Sequence, residues 1–286
     1  MKKYYAIYNP YAANGKGEQQ AKALNERFGA ENIEYFDVTK LDYKSFFDSL
    51  PEDSAVVLCG GDGTLNKFVN ATADIEIKNE LYYYACGSGN DFLREVGKKK
   101  ENGEMDKLVS LSAYLQNLPI VNVQGKAYRF INGVGYGIDG YCCEVGDKMR
   151  ESDSAKNINY TMIAIKGLLF HYKPTGATVT VDGKEYRFEK VWIAPTMNGK
   201  YYGGGMNPAP EQDRAGDTLS VMLFHGSSKL KTLMIFPSLF KGEHVKHSKY
   251  VTVLTGKNIT VKFDEPRPLQ IDGETVLGVS EYTARK

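Results

Sequence analysis

Up to about Gly97 the chain alternates between two patterns: short runs of β-forming residues that end in Gly, Asn or Asp, and stretches with helical periodicity. The runs that predict strands are Tyr4–Tyr8, Asn32–Val38, Ala55–Cys59 and Leu81–Ala85. The stretches that predict helices are Glu18–Phe28, Asp42–Leu50, Leu65–Thr72 and Asp91–Glu95. Repeated strand–helix units build a parallel sheet, and the loops that follow its strands meet at one edge, where ligands bind. We therefore expect an N-terminal α/β domain with its site at that edge.

The pattern changes after residues 107–118, which predict an amphipathic helix ended by Pro119. Beyond it lie β-rich segments with Asp-Gly hairpin signals at Asp182-Gly183 and Asp272-Gly273, and helical stretches at 141–172 and 229–241. A length of 286 residues is enough for two domains with separate cores. We predict an α/β nucleotide-binding domain over 1–119, with the tail 280–286 as a candidate to complete it, and a mainly antiparallel β domain over 120–279.

Composition excludes several classes of protein. Lys and Arg total 36 against 35 Asp and Glu, so the chain lacks the basic field with which nucleic-acid binders collect phosphates. The most apolar later stretch, 162–170, is interrupted by Lys166 and is too short to span a bilayer, and no signal peptide follows Met1. None of the four cysteines has C-x-x-C spacing. We expect a cytoplasmic protein with reduced thiols, no nucleic-acid partner and at most peripheral membrane contact.

The strongest single motif is the buried-strand pattern at 56–59 that breaks into Gly60-Gly61-Asp62-Gly63-Thr64 and then starts a helix. Glycines let a phosphate chain approach backbone N–H groups closely. A carboxylate repels phosphate, so Asp62 would hold Mg²⁺ or orient or deprotonate a hydroxyl group. Taken alone, the motif fits equally well a tight turn in which Thr64 caps the helix.

Two further loops follow predicted strands in the same way. Asn9–Gly17 follows the first strand and Cys86–Phe92 follows the fourth. Neither the Walker A spacing nor the dinucleotide fingerprint is present in the first loop. Three loops rich in Gly and Asn at one sheet edge favour a nucleotide polyphosphate as the ligand.

These motifs occur in the order and spacing of the diacylglycerol kinase catalytic-domain family, which the chain resembles over nearly its whole length. The segments that carry the resemblance are Asn9-Pro10 with Gly15 and Gly17, 60–66, 87–92, Asn198–Met206 and Asp272-Gly273-Glu274. The glycine-aspartate-glycine core is shared with NAD kinases and phosphofructokinases, so the last two segments make the assignment specific.

The resemblance implies an N-terminal domain of the NAD kinase and diacylglycerol kinase type, a β-sandwich-like C-terminal domain, and an active site in the cleft between them. It implies ATP and Mg²⁺ as cofactors and a lipid hydroxyl group as acceptor. The residues expected to bind ATP are Asn9, Pro10, Asn14, Thr39, Gly60, Gly61, Gly63, Thr64, Asn66, Gly87, Ser88, Gly89, Asn90 and Asp91. The expected catalytic residues are Glu274, which matches the family's proton acceptor, Asp272, which assists it, and Asp62. From local sequence alone, Asp272-Gly273 also fits a simple hairpin turn.

Two positions depart from the family's pattern. Lys67 replaces the usual Glu after the glycine-rich motif, which either aids phosphate binding or leaves a hydrogen-bond network incomplete. The Asp-Gly pair of the family's structural Mg²⁺ site is inverted here, as Gly216-Asp217. Asp213 and Asp217 stay candidate Mg²⁺ ligands, although paired loop carboxylates are more often only solvated.

We therefore predict an ATP-dependent lipid kinase of phospholipid metabolism that phosphorylates a lipid such as diacylglycerol. The alternatives are a kinase of the same superfamily acting on a soluble acceptor, as NAD kinase does, and a nucleotide-binding regulator without turnover. The basic and apolar stretch 229–249 fits either a helix packed on the core or an element lying on an anionic leaflet. The sequence leaves the oligomeric state open, a homodimer included.

Overall fold

The computed structural model describes residues 2–87, 89–151, 163–164, 166–167 and 171–286. The chain divides into two compact units, Met1–Gln116 and Asn117–Lys286. No helix within the described ranges is long and apolar enough to cross a bilayer.

The N-terminal unit is built on a five-stranded sheet with the order β2-β1-β3-β4-β5. Its strands are β1 Tyr4–Tyr8, β2 Ile33–Asp37, β3 Ala55–Gly60, β4 Glu80–Ala85 and β5 Leu108–Ser110. The first four are parallel and β5 is antiparallel to β4. Every residue of β3 is buried, as expected for a central strand covered on both faces. The predicted N-terminal α/β fold with a parallel sheet is confirmed.

Helices connect these strands. They are α1 Ala12–Gly15, α2 Gly17–Ala21, α3 Asn25–Phe28, α4 Tyr43–Ser49, α5 Asp62–Ala71, α6 Asp91–Val96 and α7 Ser112–Leu115, with 3-10 turns at Lys22–Leu24, Ala30–Asn32 and Val38–Lys40. The four predicted helices all occur. The buried side of α5 carries Leu65, Phe68 and Val69, so its apolar residues face the sheet.

The prediction of a helix over 107–118 is wrong. Leu108–Ser110 forms β5 instead, pairing with Tyr82–Tyr84 of β4, and only Ser112–Leu115 is helical. The edge of β4 offers a ladder of backbone hydrogen bonds that outweighs the weak helical preference of this stretch. A periodicity argument cannot detect a partner strand that lies more than twenty residues earlier.

The C-terminal unit contains a ten-stranded sheet in which every pairing is antiparallel. Its strands are β6 Ile120–Val123, β7 Lys126–Arg129, β8 Gly133–Tyr136, β9 Thr175–Val181, β10 Lys184–Val191, β11 Thr196–Met197, β12 Leu219–Phe224, β13 Val251–Gly256, β14 Asn258–Ile271 and β15 Glu274–Arg285. The order is β13-β12-β11-β8-β14-β15-β6-β7, with β9 pairing both β14 and β10. The predicted antiparallel domain is therefore confirmed.

One long strand organises this sheet. The first part of β14 pairs with β9 and its last part pairs with β8, with a register shift between Lys262 and Arg267 where the ladder changes partner. The core beneath it is apolar and fully buried, with Tyr136, Phe263 and Tyr282 among its largest side chains. Residues 280–286 belong here rather than to the N-terminal unit, because β15 continues through Arg285 and pairs with β6 and β14.

Two helices are described in this unit, α8 Ile138–Glu151 and α9 Lys229–Ile235. The helical stretch predicted at 141–172 thus begins with α8, and 152–162, 165 and 168–170 lie outside the described residues. The stretch predicted at 229–241 consists of α9 and a 3-10 helix, Phe236–Lys241, which is followed by another at Glu243–Lys246.

Both predicted Asp-Gly hairpins are present, joining β9 to β10 and β14 to β15. Asp182 and Asp272 both have φ of 48°, and the glycines that follow also have positive φ. This is the geometry of a type I′ turn, whose twist matches that of the flanking strands.

Candidate active site

Three loops meet at the carboxyl edge of the N-terminal sheet and are joined by hydrogen bonds. Gly60 O accepts from Cys86 N–H (2.9 Å) and Gly87 N–H (3.2 Å), and Asp62 N–H donates to Gly89 O (3.1 Å). These bonds connect the loop after β3 to the loop after β4. The edge therefore carries one connected glycine-rich surface at the start of α5.

The two loops touch backbone to backbone. A Cβ atom added to Gly87 would lie 2.4 Å from Gly61 Cα and 2.7 Å from Gly61 N, closer than real Cβ contacts allow. Only glycine fits at 87 without separating the loops. The glycines predicted to approach a phosphate chain thus have a second role, which is to let the loops approach each other.

Asp62 faces backbone donors. Its Oδ2 accepts from Asp91 N–H (2.6 Å) and its Oδ1 from Phe92 N–H (3.3 Å), the first two residues of α6. A carboxylate at this position satisfies N–H groups that a helix cannot pair internally. The geometry gives Asp62 a structural task, and its predicted role toward Mg²⁺ or a hydroxyl group stays a prediction.

Asn9 connects the first loop to the same surface. Its backbone N–H donates to Cys59 O (3.1 Å), its side-chain amide donates to Thr64 Oγ1 (2.9 Å), and its Oδ1 accepts from Tyr11 N–H (3.0 Å). Thr64 is buried beneath this contact. Asn9 thus fixes the start of the loop against the start of α5.

Asn90 braces the loop after β4 from within. Its side-chain amide donates to Gly87 O (2.7 Å), and its Oδ1 accepts from the Tyr83 hydroxyl (3.4 Å). Burial raises the pKa of Tyr83 well above its ordinary value, and the nearby Asp62 charge adds to this effect. Tyr83 therefore stays a neutral hydrogen-bond donor beneath the loops.

The other residues predicted for ATP have different surroundings. Thr39 is exposed after β2, and its N–H and hydroxyl both donate to Asp37 Oδ1, which lowers the pKa of Asp37. Asn14 is exposed within the short segment α1, where its backbone is left-handed with φ of 58°. Asn66 and Asp91 are buried, Pro10 and Gly63 are half-buried, and Ser88 lies outside the described residues. The described contacts bring together Asn9, Gly60, Gly61, Asp62, Thr64, Gly87, Gly89, Asn90 and Asp91.

The thiols near this edge are not reactive groups. Burial raises the pKa of Cys86 to about 11 and that of Cys59 well above its ordinary value. Both stay protonated at neutral pH, and all four cysteines are free thiols.

In the C-terminal unit, Asp272 is bound by a neighbouring loop. Its Oδ2 accepts from Ile131 N–H (2.5 Å), and its Oδ1 accepts from Asn132 N–H (2.8 Å) and Gly133 N–H (3.0 Å). Its own N–H donates to Gly133 O (3.0 Å). All three of these donors are backbone N–H groups of the loop that the turn contacts. This geometry favours the turn interpretation of Asp272.

The loop that binds Asp272 is held by further polar residues that sequence reasoning missed. The Asn198 side-chain amide donates to Ile131 O (2.9 Å), and Arg214 donates to Ile131 O and to Asn132 Oδ1 (2.8 Å for the latter). Asn198 opens the glycine-rich segment that carried the resemblance, but its contacts are structural. Arg214 lies in sequence between Asp213 and Asp217, and its side chain is buried in the folded unit. Because burial is not visible in the sequence, no motif pointed to this network.

Glu274 is different, because its side chain is exposed at the first position of β15. The backbone around it is well fixed: Gly273 N–H donates to Gln270 Oε1 (2.7 Å) and the Thr275 hydroxyl donates to Asp147 Oδ2 of α8 (2.6 Å). The predicted role of Glu274 as the proton acceptor stays a prediction.

A buried carboxylate that the sequence analysis did not select lies near this turn. Asp139, at the start of α8, accepts from the Tyr202 hydroxyl at Oδ2 (3.2 Å). Burial raises the pKa of Asp139 to about 6, and hydrogen bonds, including those from Tyr202 and Gln270, oppose the shift. Gln270 therefore links Asp139 to the turn before Glu274. The sequence signal was an acidic residue inside the apolar and glycine-rich stretch 133–140.

Among the described residues, the two predicted Mg²⁺ ligands contact other groups of the protein. Asp213 Oδ1 accepts from Ala215 N–H (2.9 Å), and Asp217 Oδ2 lies 2.5 Å from Lys257 Nζ in an exposed ion pair. Within the described ranges no three His, Cys, Asp or Glu side chains are grouped as a metal would need. Because a lysine ammonium occupies the carboxylate of Asp217, this pair does not fit Mg²⁺ as it stands.

Comparison with known families identifies the two parts of the chain. Residues 3–119 match the diacylglycerol kinase catalytic domain, and residues 132–283 match the YegS C-terminal NAD kinase beta sandwich-like domain. The chain belongs to the diacylglycerol kinase catalytic-domain family. Membership makes it a kinase-type enzyme and implies ATP as the phosphoryl donor.

Individual relatives agree with this assignment. YtlR of Bacillus subtilis (strain 168), which carries a provisional lipid-kinase name, is 23% identical, with 99% of this chain and 96% of the relative covered. A diacylglycerol kinase of Mycobacterium tuberculosis (strain H37Rv) is 23% identical over 85% of this chain and 80% of its own length. A crystal structure of a diacylglycerol kinase from Bacillus anthracis str. Sterne is similar in fold, with a TM-score of 0.67, 19% identity, and coverage of 100% of this chain and 94% of that one.

Proposed function

We propose that the protein transfers the γ-phosphate of ATP to the hydroxyl group of a membrane lipid such as diacylglycerol, giving a phosphatidate-type product. The observation that carries the proposal is the connected surface made by the loops after β1, β3 and β4 at the start of α5. The start of a helix and closely spaced glycine N–H groups favour a polyphosphate. The family and its relatives supply the reaction class.

In this proposal the acceptor oxygen forms a bond to the γ-phosphorus while the bond from that phosphorus to the bridging oxygen breaks, and ADP leaves. Glu274 accepts the proton of the acceptor hydroxyl group. Asp272 fixes the turn that carries Glu274 through its bonds to Ile131, Asn132 and Gly133. Positioning of this kind supplies most of the catalysis in phosphoryl transfer.

Asp62 acts in the proposal by holding the loop after β4. Because its carboxylate joins α5 to the N–H groups that begin α6, its loss would separate the two glycine loops that approach at Gly61 and Gly87. We expect Asp62→Asn to weaken ATP binding as well as turnover. A variant that lowers kcat and leaves the KM for ATP unchanged would instead assign Asp62 to the acceptor.

The test of the function is a transfer assay with γ-labelled ATP. Detergent micelles carrying diacylglycerol, monoacylglycerol, sphingosine or ceramide are compared with NAD in the aqueous phase. We expect the label in the organic phase, with one lipid preferred. Label found only on NAD, or ATP binding without transfer to any acceptor, would contradict the proposal.

A further inference from the structure

Exposed apolar side chains are concentrated in one segment of the C-terminal unit. Within the part of the chain that the structure describes, nine large hydrophobic side chains are exposed, and four of them lie between residues 230 and 245. They are Leu230, Met234, Phe240 and Val245, exposed by 68%, 61%, 37% and 40%. Single exposed apolar residues need no explanation, whereas a cluster within sixteen positions marks an interaction surface.

The same segment has a packed side. Thr232 is buried, and Ile235, Phe236 and Leu239 are buried in a cluster that includes Trp192 and Phe224. The hypothesis of a core-packing helix is therefore correct for one face. On α9 the exposed pair Leu230 and Met234 is spaced by four residues and lies one above the other on the opposite face. The element is apolar on both sides, and only one side is covered.

Lysines alternate with the exposed apolar residues along this segment. The segment 229–249 contains five lysines and a single acidic residue, Glu243, in a chain whose formal charge is only +1. The Glu243 carboxylate is paired with Lys246 Nζ at 3.1 Å. Apolar side chains interspersed with ammonium groups match a surface that is anionic at its headgroups and apolar beneath.

Hydrogen bonds fix this segment to residues 207–208, which follow the glycine-rich segment 198–206. Asn207 N–H donates to Leu239 O (2.9 Å), and the buried His244 ring donates from Nε2 to Pro208 O (2.9 Å). Residues 207–208 continue directly from the turn in which Tyr202 and Met206 pair. The segment is therefore connected through residues 207–208 to the loop of Tyr202, whose hydroxyl donates to Asp139.

We propose that Leu230, Met234, Phe240 and Val245, with Lys229, Lys231, Lys241, Lys246 and Lys249, form a membrane-docking face that lies on anionic phospholipid bilayers. This deepens the proposed function, since it rests on a lipid acceptor that resides in a bilayer. The apolar side chains enter the headgroup boundary while the lysines contact lipid phosphates. Such a face gives peripheral and salt-sensitive binding.

The test is co-sedimentation of the purified full chain with vesicles of phosphatidylglycerol or phosphatidylcholine at 0.1 M and 0.5 M NaCl. We expect binding to phosphatidylglycerol that weakens in high salt. Lys231→Glu/Lys241→Glu removes two favourable charges and adds two repulsive ones, so its affinity should fall by about 30-fold or more. Leu230→Ser/Met234→Ser should fall by about tenfold.

Matched controls use exposed residues elsewhere. Lys126→Glu/Lys184→Glu changes the same charge on two hairpins of the same unit, and Met105→Ser removes an exposed methionine of the N-terminal unit. Both controls should bind like the unaltered protein, and thermal melting should confirm that all variants are folded. Equal binding by the docking-face variants and the unaltered protein would overturn the proposal. The proposal would also be overturned if the unaltered protein bound no vesicles and instead self-associated, and if Leu230→Ser/Met234→Ser abolished that self-association.

A kinase assay separates this proposal from the proposed function. With short-chain diacylglycerol in neutral micelles, the docking-face variants should turn over at the unaltered rate, while on phosphatidylglycerol vesicles they should be slower by about the loss in binding. If the unaltered protein phosphorylates no lipid but binds vesicles through this face, the proposed function fails and the docking face stands. If it phosphorylates micellar lipid and binds no vesicles, the docking face fails alone.

Discussion

The β9–β10 and β14–β15 hairpins carry the same Asp-Gly turn but differ in what lies beside it. In both, the Asp has φ of 48° and its carboxylate accepts backbone N–H groups of a neighbouring segment: Lys257 and Asn258 for Asp182, and residues 131–133 for Asp272. The N–H of each Asp also donates to that segment. The residue after the turn is Lys184 in one hairpin and Glu274 in the other.

The repetition shows which part of Asp-Gly-Glu needs a functional explanation. The Asp of the turn binds backbone N–H groups in both hairpins, including the one for which no chemistry is proposed. This shared structural role accounts for Asp272. It does not account for Glu274, because the other hairpin has Lys184 at that position. The catalytic proposal therefore rests on Glu274, with Asp272 as the residue that positions it.

The largest expected effect separates the residues that follow the two turns. Glu274→Gln removes the proton acceptor and should lower kcat about 100- to 10,000-fold, because that is the range contributed by a general base. Since the side chain is exposed, the melting temperature should stay unchanged. Lys184→Gln, the matched change in the other hairpin, should leave kcat unaltered. Near-normal turnover of Glu274→Gln would remove the proposed base.

Removal of the turn carboxylates should separate the hairpins in both stability and activity. Asp272→Ala leaves three partly buried backbone N–H groups without their acceptor, which costs about 1 to 3 kcal/mol in the free energy of unfolding. Asp182 is exposed, so water can replace its carboxylate in Asp182→Ala and the loss should be smaller. Urea denaturation measures this loss. Only Asp272→Ala should also slow turnover, by about tenfold, because Glu274 is then less precisely held. If Asp272→Ala removed all activity at undiminished stability, Asp272 would act in the chemistry itself.

A pH experiment compares Asp272, whose carboxylate accepts three backbone N–H groups, with the buried carboxylate of Asp139. Oδ1 of Asp139 is buried without a hydrogen-bond partner among the described residues, and burial raises its pKa from 3.8 to about 6. The folded state then binds more protons than the unfolded state between about pH 4 and 6, so the stabilisation by this group is present below pH 4 and is lost as the pH rises through 6.

Asp139→Asn removes that titration. At pH 7 the variant should be more stable than the unaltered protein by up to about 3 kcal/mol, the equivalent of a shift of about two pH units. The difference should shrink as the pH falls toward 4. Chemical denaturation at several pH values measures it. A difference in unfolding free energy that stays constant across this pH range would contradict the raised pKa of Asp139.

The smallest effect is expected at the exposed ion pair. Asp217→Ala breaks the contact with Lys257, and pairs at such exposed positions contribute little because solvent screens them. The urea midpoint and the concentration of Mg²⁺ that supports half-maximal activity should both stay the same. A marked increase in the Mg²⁺ requirement would restore Asp217 as a metal ligand.

Sequence reasoning predicted the N-terminal unit well because its apolar runs are short and end in glycine or polar residues. Tyr4–Tyr8 matches β1 at both ends, and Gly60–Thr64 marks the passage from a buried strand to a helix, although α5 begins at Asp62, three residues before the predicted start at Leu65. It failed at 107–118, where the pairing of Leu108 with Tyr84 is not visible in local periodicity.

The candidate site was predicted in its parts and not in its contacts. The rule that loops follow parallel strands at one edge brings Gly61 and Gly87 together, as observed. Whether Asp62 faces a ligand or the N–H of Asp91 depends on loop geometry a few ångströms in scale, which spacing does not encode. Asp139 escaped selection because burial, which gives it its raised pKa, is a property of the folded unit.

The pairing of β15 with β6 has a kinetic consequence. It unites opposite ends of the C-terminal unit, and the Gln124 side chain donates to Leu277 O across 153 positions of sequence. Closing so long a loop costs entropy before any contact repays it, so this ladder forms slowly compared with the nearest-neighbour hairpins. During refolding, β6 and β15 spend time as open strand edges that are able to pair with other molecules, and dilution should improve the yield of native protein.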